Sequence, residues 1–122
     1  MRASGSVALS LALLLAPAAA PSASAQEGFR IAYDTDTSRP NRVRIVGTVA
    51  NDRSGDVYEV SVSAEALNQA GKVVARGIAY VDSRIPAGGS RSFSISVPNA
   101  PGVVRYRVVV STYRAALGGE SP

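Results

Sequence analysis

Cysteine, histidine and tryptophan are all missing from the 122 residues, and lysine occurs once, at Lys72. Without cysteine there is no disulfide scaffold, no thiol nucleophile, no thiolate zinc site and no residue for a cysteine-linked lipid anchor. Without histidine the commonest general base and the commonest transition-metal ligand are excluded. Aromatics are scarce as well, with five tyrosines and two phenylalanines. Strong nucleic-acid binders combine dense basic clusters with stacking rings, so nucleic acid is not an expected partner. No cofactor is expected either. The net charge of +4 comes from scattered arginines and supports a general attraction to anionic surfaces.

Long apolar runs are also lacking, with one exception. Val7 to Ala16 (VALSLALLLA) carries no charge, follows Arg2 and stops at Pro17. A small-residue stretch then ends in Ala23-Ser24-Ala25. This pattern predicts a secretory signal peptide over residues 1–25, cut before Gln26, because the peptidase pocket admits only small side chains at the two key positions. The run is too short for a permanent membrane span, which needs roughly 20 residues. The expected product is exported, to the periplasm or the extracellular medium.

From Gln26 onward the apolar residues recur with period two. In Tyr58 to Ala66 they occupy every even position and polar residues every odd one, the signature of a strand with one buried and one wet face. Apolar neighbours at Ala66-Leu67 predict a bulge or the strand's end. Phe29, Ile31 and Tyr33 alternate likewise, as do Val43, Ile45 and Val49, then Phe93, Ile95 and Val97, then Val104, Tyr106, Val108 and Val110. Lys72 to Val81 is apolar on both faces in places, which suits an edge or a position between neighbours. The alternation places Tyr58, Val60, Val62, Phe93, Ile95, Tyr106 and Val108 in one core.

Turn chemistry separates these runs, with Pro40, Gly55, Gly71, Pro86 and Pro101 among the breakers. About six to seven strands at such spacing, with no helical segment, predict an all-β protein, a single antiparallel immunoglobulin-like β-sandwich. The domain is expected over 26–116, followed by a disordered tail, 117–122 (LGGESP).

Several residues then suggest a family. Val46-Gly47-Thr48-Val49-Ala50-Asn51, Val60-Ser61-Val62, Asn68-Gln69-Ala70-Gly71-Lys72-Val73-Val74 and Ile85-Pro86-Ala87-Gly88-Gly89-Ser90 with Phe93 together resemble the FxLYD domain family. The resemblance covers about Val43 to Val110. Where the family carries its eponymous motif, this chain reads Ala64-Glu65-Ala66-Leu67-Asn68. The resemblance implies an immunoglobulin-like sandwich in an envelope or secreted protein of bacteria, and it implies no catalytic residues.

Candidate chemistry is thin. Asp34-Thr35-Asp36-Thr37-Ser38 has oxygens at alternate positions, as a calcium loop requires, but Arg39 and Ile45 stand where an EF-hand needs its glycine and its bidentate glutamate. A solvated turn with local capping is the ordinary reading. Asn51 to Asp56 mixes acids with Arg53 and is expected to make ion pairs at the end of the sandwich that also carries Asp82 and Arg84. A Ser–Lys dyad would need Lys72, which closes a polar turn. Glu59 and Glu65 lie roughly 20 Å apart on an extended strand, too far for paired-carboxylate chemistry. No enzyme is expected.

Two features are left. Ser90, Ser92, Ser94 and Ser96 form a small polar face. Arg42, Arg44, Arg105 and Arg107 hold wet positions on two strands. If those strands are neighbours they form a stripe for an anionic polymer or lipid head group; if not, they simply discourage edge pairing. The functional expectation is a non-catalytic binding or structural module of the bacterial envelope, its partner an unidentified protein or an anionic envelope polymer. The alternative is a small secreted inhibitor or an accessory subunit of an envelope enzyme.

Overall fold

Period-two alternation is realised as seven strands and no helix in residues 22–115, which a computed structural model describes. They are β1 (Ser22–Gln26), β2 (Phe29–Asp36), β3 (Arg42–Asn51), β4 (Val57–Asn68), β5 (Val73–Ile85), β6 (Ser90–Pro98) and β7 (Val103–Ala115). The apolar run Val7 to Ala16 and the tail 117–122 lie outside the described residues. All pairs are antiparallel, in two sheets ordered β1-β2-β3-β6 and β5-β4-β7. The chain is thus an all-β sandwich. Taking β2 to β7 as strands A, B, C, C′, E and F reproduces the pairing order of an immunoglobulin-type sandwich, with β1 added ahead of A.

The sheets bury what the alternation assigns to them. Phe29, Ile31 and Tyr33 of β2 meet Val43, Ile45 and Val49 of β3, Phe93, Ile95 and Val97 of β6, Val60 and Val62 of β4, and Val108 and Val110 of β7 in one core cluster. Register supports this layer by layer: Ile45 faces Ile95 and Val43 faces Val97. Gly47 stands between Tyr33 and Phe93. A Cβ there would lie 2.1 Å from the Ala32 carbonyl oxygen, so the close approach requires glycine. Of the two places that a strand apolar on two faces suits, between neighbours or at an edge, β5 takes the edge.

Two expectations change. Tyr58 is outside the core cluster, and Val57, fully buried, takes that place. The cause is a bulge: Glu59 has φ 52°, and the register of β4 shifts beside it. One extra residue turns Tyr58 outward, beneath the Arg114 guanidinium 5.9 Å from the ring centroid. Tyr106 is only half-buried, packed against the core from one end. The bulge predicted at Ala66-Leu67 is present.

The additional strand β1 lies across the predicted cleavage site. It joins β2 through the two-residue turn Glu27-Gly28, whose glycine has φ 83°. Its register puts Ser22, Ser24 and Gln26 on the same face as Tyr33, Ile31 and Phe29. These three are polar because they face the open edge of β7 rather than the core. Ser24 Oγ donates to the Val108 carbonyl, 2.8 Å. The Gln26 side-chain amide donates to the Val110 carbonyl, 3.0 Å, and accepts from the Val110 N–H, 2.8 Å. The glutamine amide thereby replaces one residue of a missing strand.

Candidate functional site

The four arginines of the proposed stripe fall on two different sheets. Arg42 and Arg44 are exposed on β3, Arg105 and Arg107 on β7, and these strands are not paired. Since each alternates with inward-facing residues, the two pairs project from opposite outer faces. Arg107 is moreover bonded to Glu65, together with Arg76 from the other side. Arg42 donates to the Ser96 hydroxyl, which ties it to the serine face of β6. No single stripe forms.

Charge is organised by the two ends of the sandwich instead. One end gathers the β1–β2, β3–β4 and β5–β6 turns, and there arginines and acids pair off. Arg30 donates twice to Asp52, at 2.9 and 3.0 Å. Arg84 does the same to Asp56, whose other oxygen accepts the Ala87 N–H. Arg91 bonds Asp82, and Arg53 stacks on Tyr113. Hydrogen bonds from the Ala87 N–H and Arg84 hold the Asp56 carboxyl below its ordinary range, and the Arg91 guanidinium does so for Asp82. The ion pairing expected of Asn51 to Asp56 is what the structure shows.

The opposite end gathers the β2–β3, β4–β5 and β6–β7 turns. Arg39, Arg42, Arg44, Lys72 and Arg105 stand there against Asp34 and Asp36, and none of these cations makes a salt bridge among the described residues. Asp36 is turned to its own loop, accepting the Ser38 N–H at 2.9 Å. The Ser38 contacts hold its carboxyl below the ordinary range, with Arg44 and Arg39 adding to the effect. This is the local capping expected of Asp34 to Ser38, and no three carboxylates converge among the described residues.

A cleft of about 550 Å³ opens at this end between the sheets. It arises because the inner faces run on past the core. Along β2 the buried positions Phe29, Ile31 and Tyr33 give way to exposed Thr35, with Thr37 just after the strand; along β7 buried Val110 and Val108 give way to half-buried Tyr106 and Val103, which pack against the core, and to exposed Val104. The outer members of both series line the cleft, with Ser22, Arg39 and Asn99. The Tyr33 hydroxyl donates to the Tyr106 carbonyl at 3.3 Å and closes the floor. Asn99 fixes the rim: its N–H donates to the Asn41 carbonyl at 3.0 Å, its side chain to that of Pro40 at 3.3 Å. Burial raises the Tyr106 phenol above its ordinary value.

The geometry defines a two-sheet antiparallel sandwich with one charge-balanced end and one electropositive, clefted end. Compared with known proteins, the chain matches no family model, no curated protein and no solved structure. Arg39 and the cleft escaped the sequence reading because the arginine sits in a turn, where alternation assigns no face. The run Asp34-Thr35-Asp36-Thr37-Ser38, whose alternate oxygens suggest a calcium loop, is the usable signal: two of its hydroxyls, those of Thr35 and Thr37, line the cleft. Among the described residues no helix is long and apolar enough to cross a membrane.

Proposed function

We propose that this chain is a non-catalytic, exported binding or structural module of the bacterial envelope, of the FxLYD type, which engages anionic polymer through its electropositive end. The observation that carries the reading is the segregation of charge. Acids and arginines neutralise one another at one end, while five cations at the other face two acids. Such a distribution orients a domain on a polyanion without any single deep site. Arginine suits the task, since its guanidinium offers a rigid fork of donors to carboxylate or phosphate. Export is supported by the apolar run and the Ala23-Ser24-Ala25 site. The pairwise use of titratable groups in surface ion pairs supports a non-catalytic role.

The test is retention of the exported protein on immobilised anionic envelope polymer across a salt series. Retention that fades between 0.1 M and 1 M salt, where the Debye length shrinks from about 10 Å to about 3 Å, supports the reading. Flow-through at low salt contradicts it.

A further inference from the structure

We propose that the cleft between Thr35, Thr37, Arg39 and Tyr106 is the seat of one anionic sugar unit, a hexose-sized ring bearing a carboxylate or a phosphate. The proposal rests on the polymer-binding reading above and names the unit of polymer recognised. Two properties of the walls carry it. They are amphipathic on the scale of a sugar ring: Tyr33, Tyr106 and Val104 offer apolar surface, while Thr35 and Thr37 offer hydroxyls that remain after cleavage before Gln26. A pyranose presents C–H faces and a girdle of hydroxyls, so it can pack on the first group and exchange hydrogen bonds with the second.

Charge supplies the second property. No carboxylate lines the cleft, and Arg39, which does, makes no salt bridge among the described residues. The nearest acid in sequence, Asp36, does not line the cleft; its carboxylate is held first by Ser38, with Arg44 and Arg39 the lesser influences on it. Arg105 is part of the wall as well and also makes no salt bridge among the described residues, so the cleft carries two cations and no acid. The size suits the ligand, since about 550 Å³ falls within the roughly 300–1,000 Å³ usual for small-molecule sites. The rim is already in place through the Asn99 bonds to Asn41 and Pro40.

The experiment is an NMR titration of the whole ¹⁵N-labelled chain with four probes: digalacturonate, glucose 6-phosphate, maltose and inorganic phosphate. Saturable shifts at Thr35, Thr37, Asn99 and Tyr106 with digalacturonate or glucose 6-phosphate support the proposal, and the tighter of the two tells carboxylate from phosphate. Arg39→Ser should weaken that binding about fivefold or more, as expected for one charge-assisted contact. Thr35→Val with Thr37→Val should weaken it too, whereas Arg30→Ser at the far end should leave it unchanged. An unaltered thermal midpoint shows that each variant is folded. Equal binding of maltose, identical shifts with inorganic phosphate, or no saturation overturns the proposal. If the cleft stays silent while the protein is still retained on polymer, the saccharide site falls and the polymer reading stands; loss of both sinks both.

Discussion

Asn51 is fully buried, yet no polar atom of its side chain is wasted. Its amide donates to the Gly55 carbonyl at 2.9 Å and the Ile85 carbonyl at 3.0 Å, and accepts the Arg53 N–H at 3.0 Å. Its backbone joins the β5–β6 loop at Gly88 and Gly89. One asparagine therefore fastens three segments at the balanced end, and it closes the stretch Val46 to Asn51. Asn51→Ala strands two carbonyls and one N–H, and should cost about 2–4 kcal/mol in urea unfolding. At the bulge, Val57→Ala should cost about 2 kcal/mol through lost burial and a cavity, and Tyr58→Ser about 1 kcal/mol or less. The reverse order would restore Tyr58 to the core. That inversion was not legible, because Glu59 adopts a positive φ that no glycine announces.

Glu65 adds a pH dependence at the same scale. Hydrogen bonding from Arg107, opposed by partial burial and reinforced by Arg76, holds its carboxyl below the ordinary 4.5. A carboxylate with a depressed folded value stabilises fully above the unfolded value and loses that contribution as pH falls through the folded one. The thermal-midpoint gap between wild type and Glu65→Gln should be constant near neutrality and close as pH falls below 4.5. A gap that widens on acidification contradicts the assignment.

Among the elements, β1 is the one whose identity was least legible. Its residues read as the end of a leader, small and polar, and small polar residues are also what an edge strand needs to bond the main chain of β7. Both readings draw on the same Ser22-Ala23-Ser24-Ala25-Gln26. Cleavage after Ala25 would remove all of β1 but Gln26, leaving the amide that bridges Val110 and deleting the Ser24 bond to Val108. A chain starting at Gln26 should therefore exchange the amide protons of β2 faster than one starting at Ser22. In either, Gln26→Ala should cost about 1–2 kcal/mol, two hydrogen bonds' worth. Equal exchange in the two chains would mean that β1 contributes nothing to the sandwich. The other strands were readable because each presents one face to a shared core, and a one-residue slip would expose that whole face.

The whole molecule is a sandwich whose ends differ in charge, and this level could be read only in part from the sequence. Fold class and most strand faces follow from alternation. Which arginines share a surface does not, because Arg42 and Arg105 lie far apart in the chain and their strands enter different sheets. The acid-bearing turns come together at one end only through the order in which the chain crosses between sheets. The most direct measurement compares two charge variants of equal net charge on the same anionic envelope polymer. One carries Arg39→Ser, Arg42→Ser and Arg44→Ser at the clefted end; the other carries Arg30→Ser, Arg53→Ser and Arg84→Ser at the balanced end. The first should elute at markedly lower salt than wild type, and the second close to the salt that elutes wild type. Elution of both variants at the same salt would show that net charge alone governs binding and that neither end is a site.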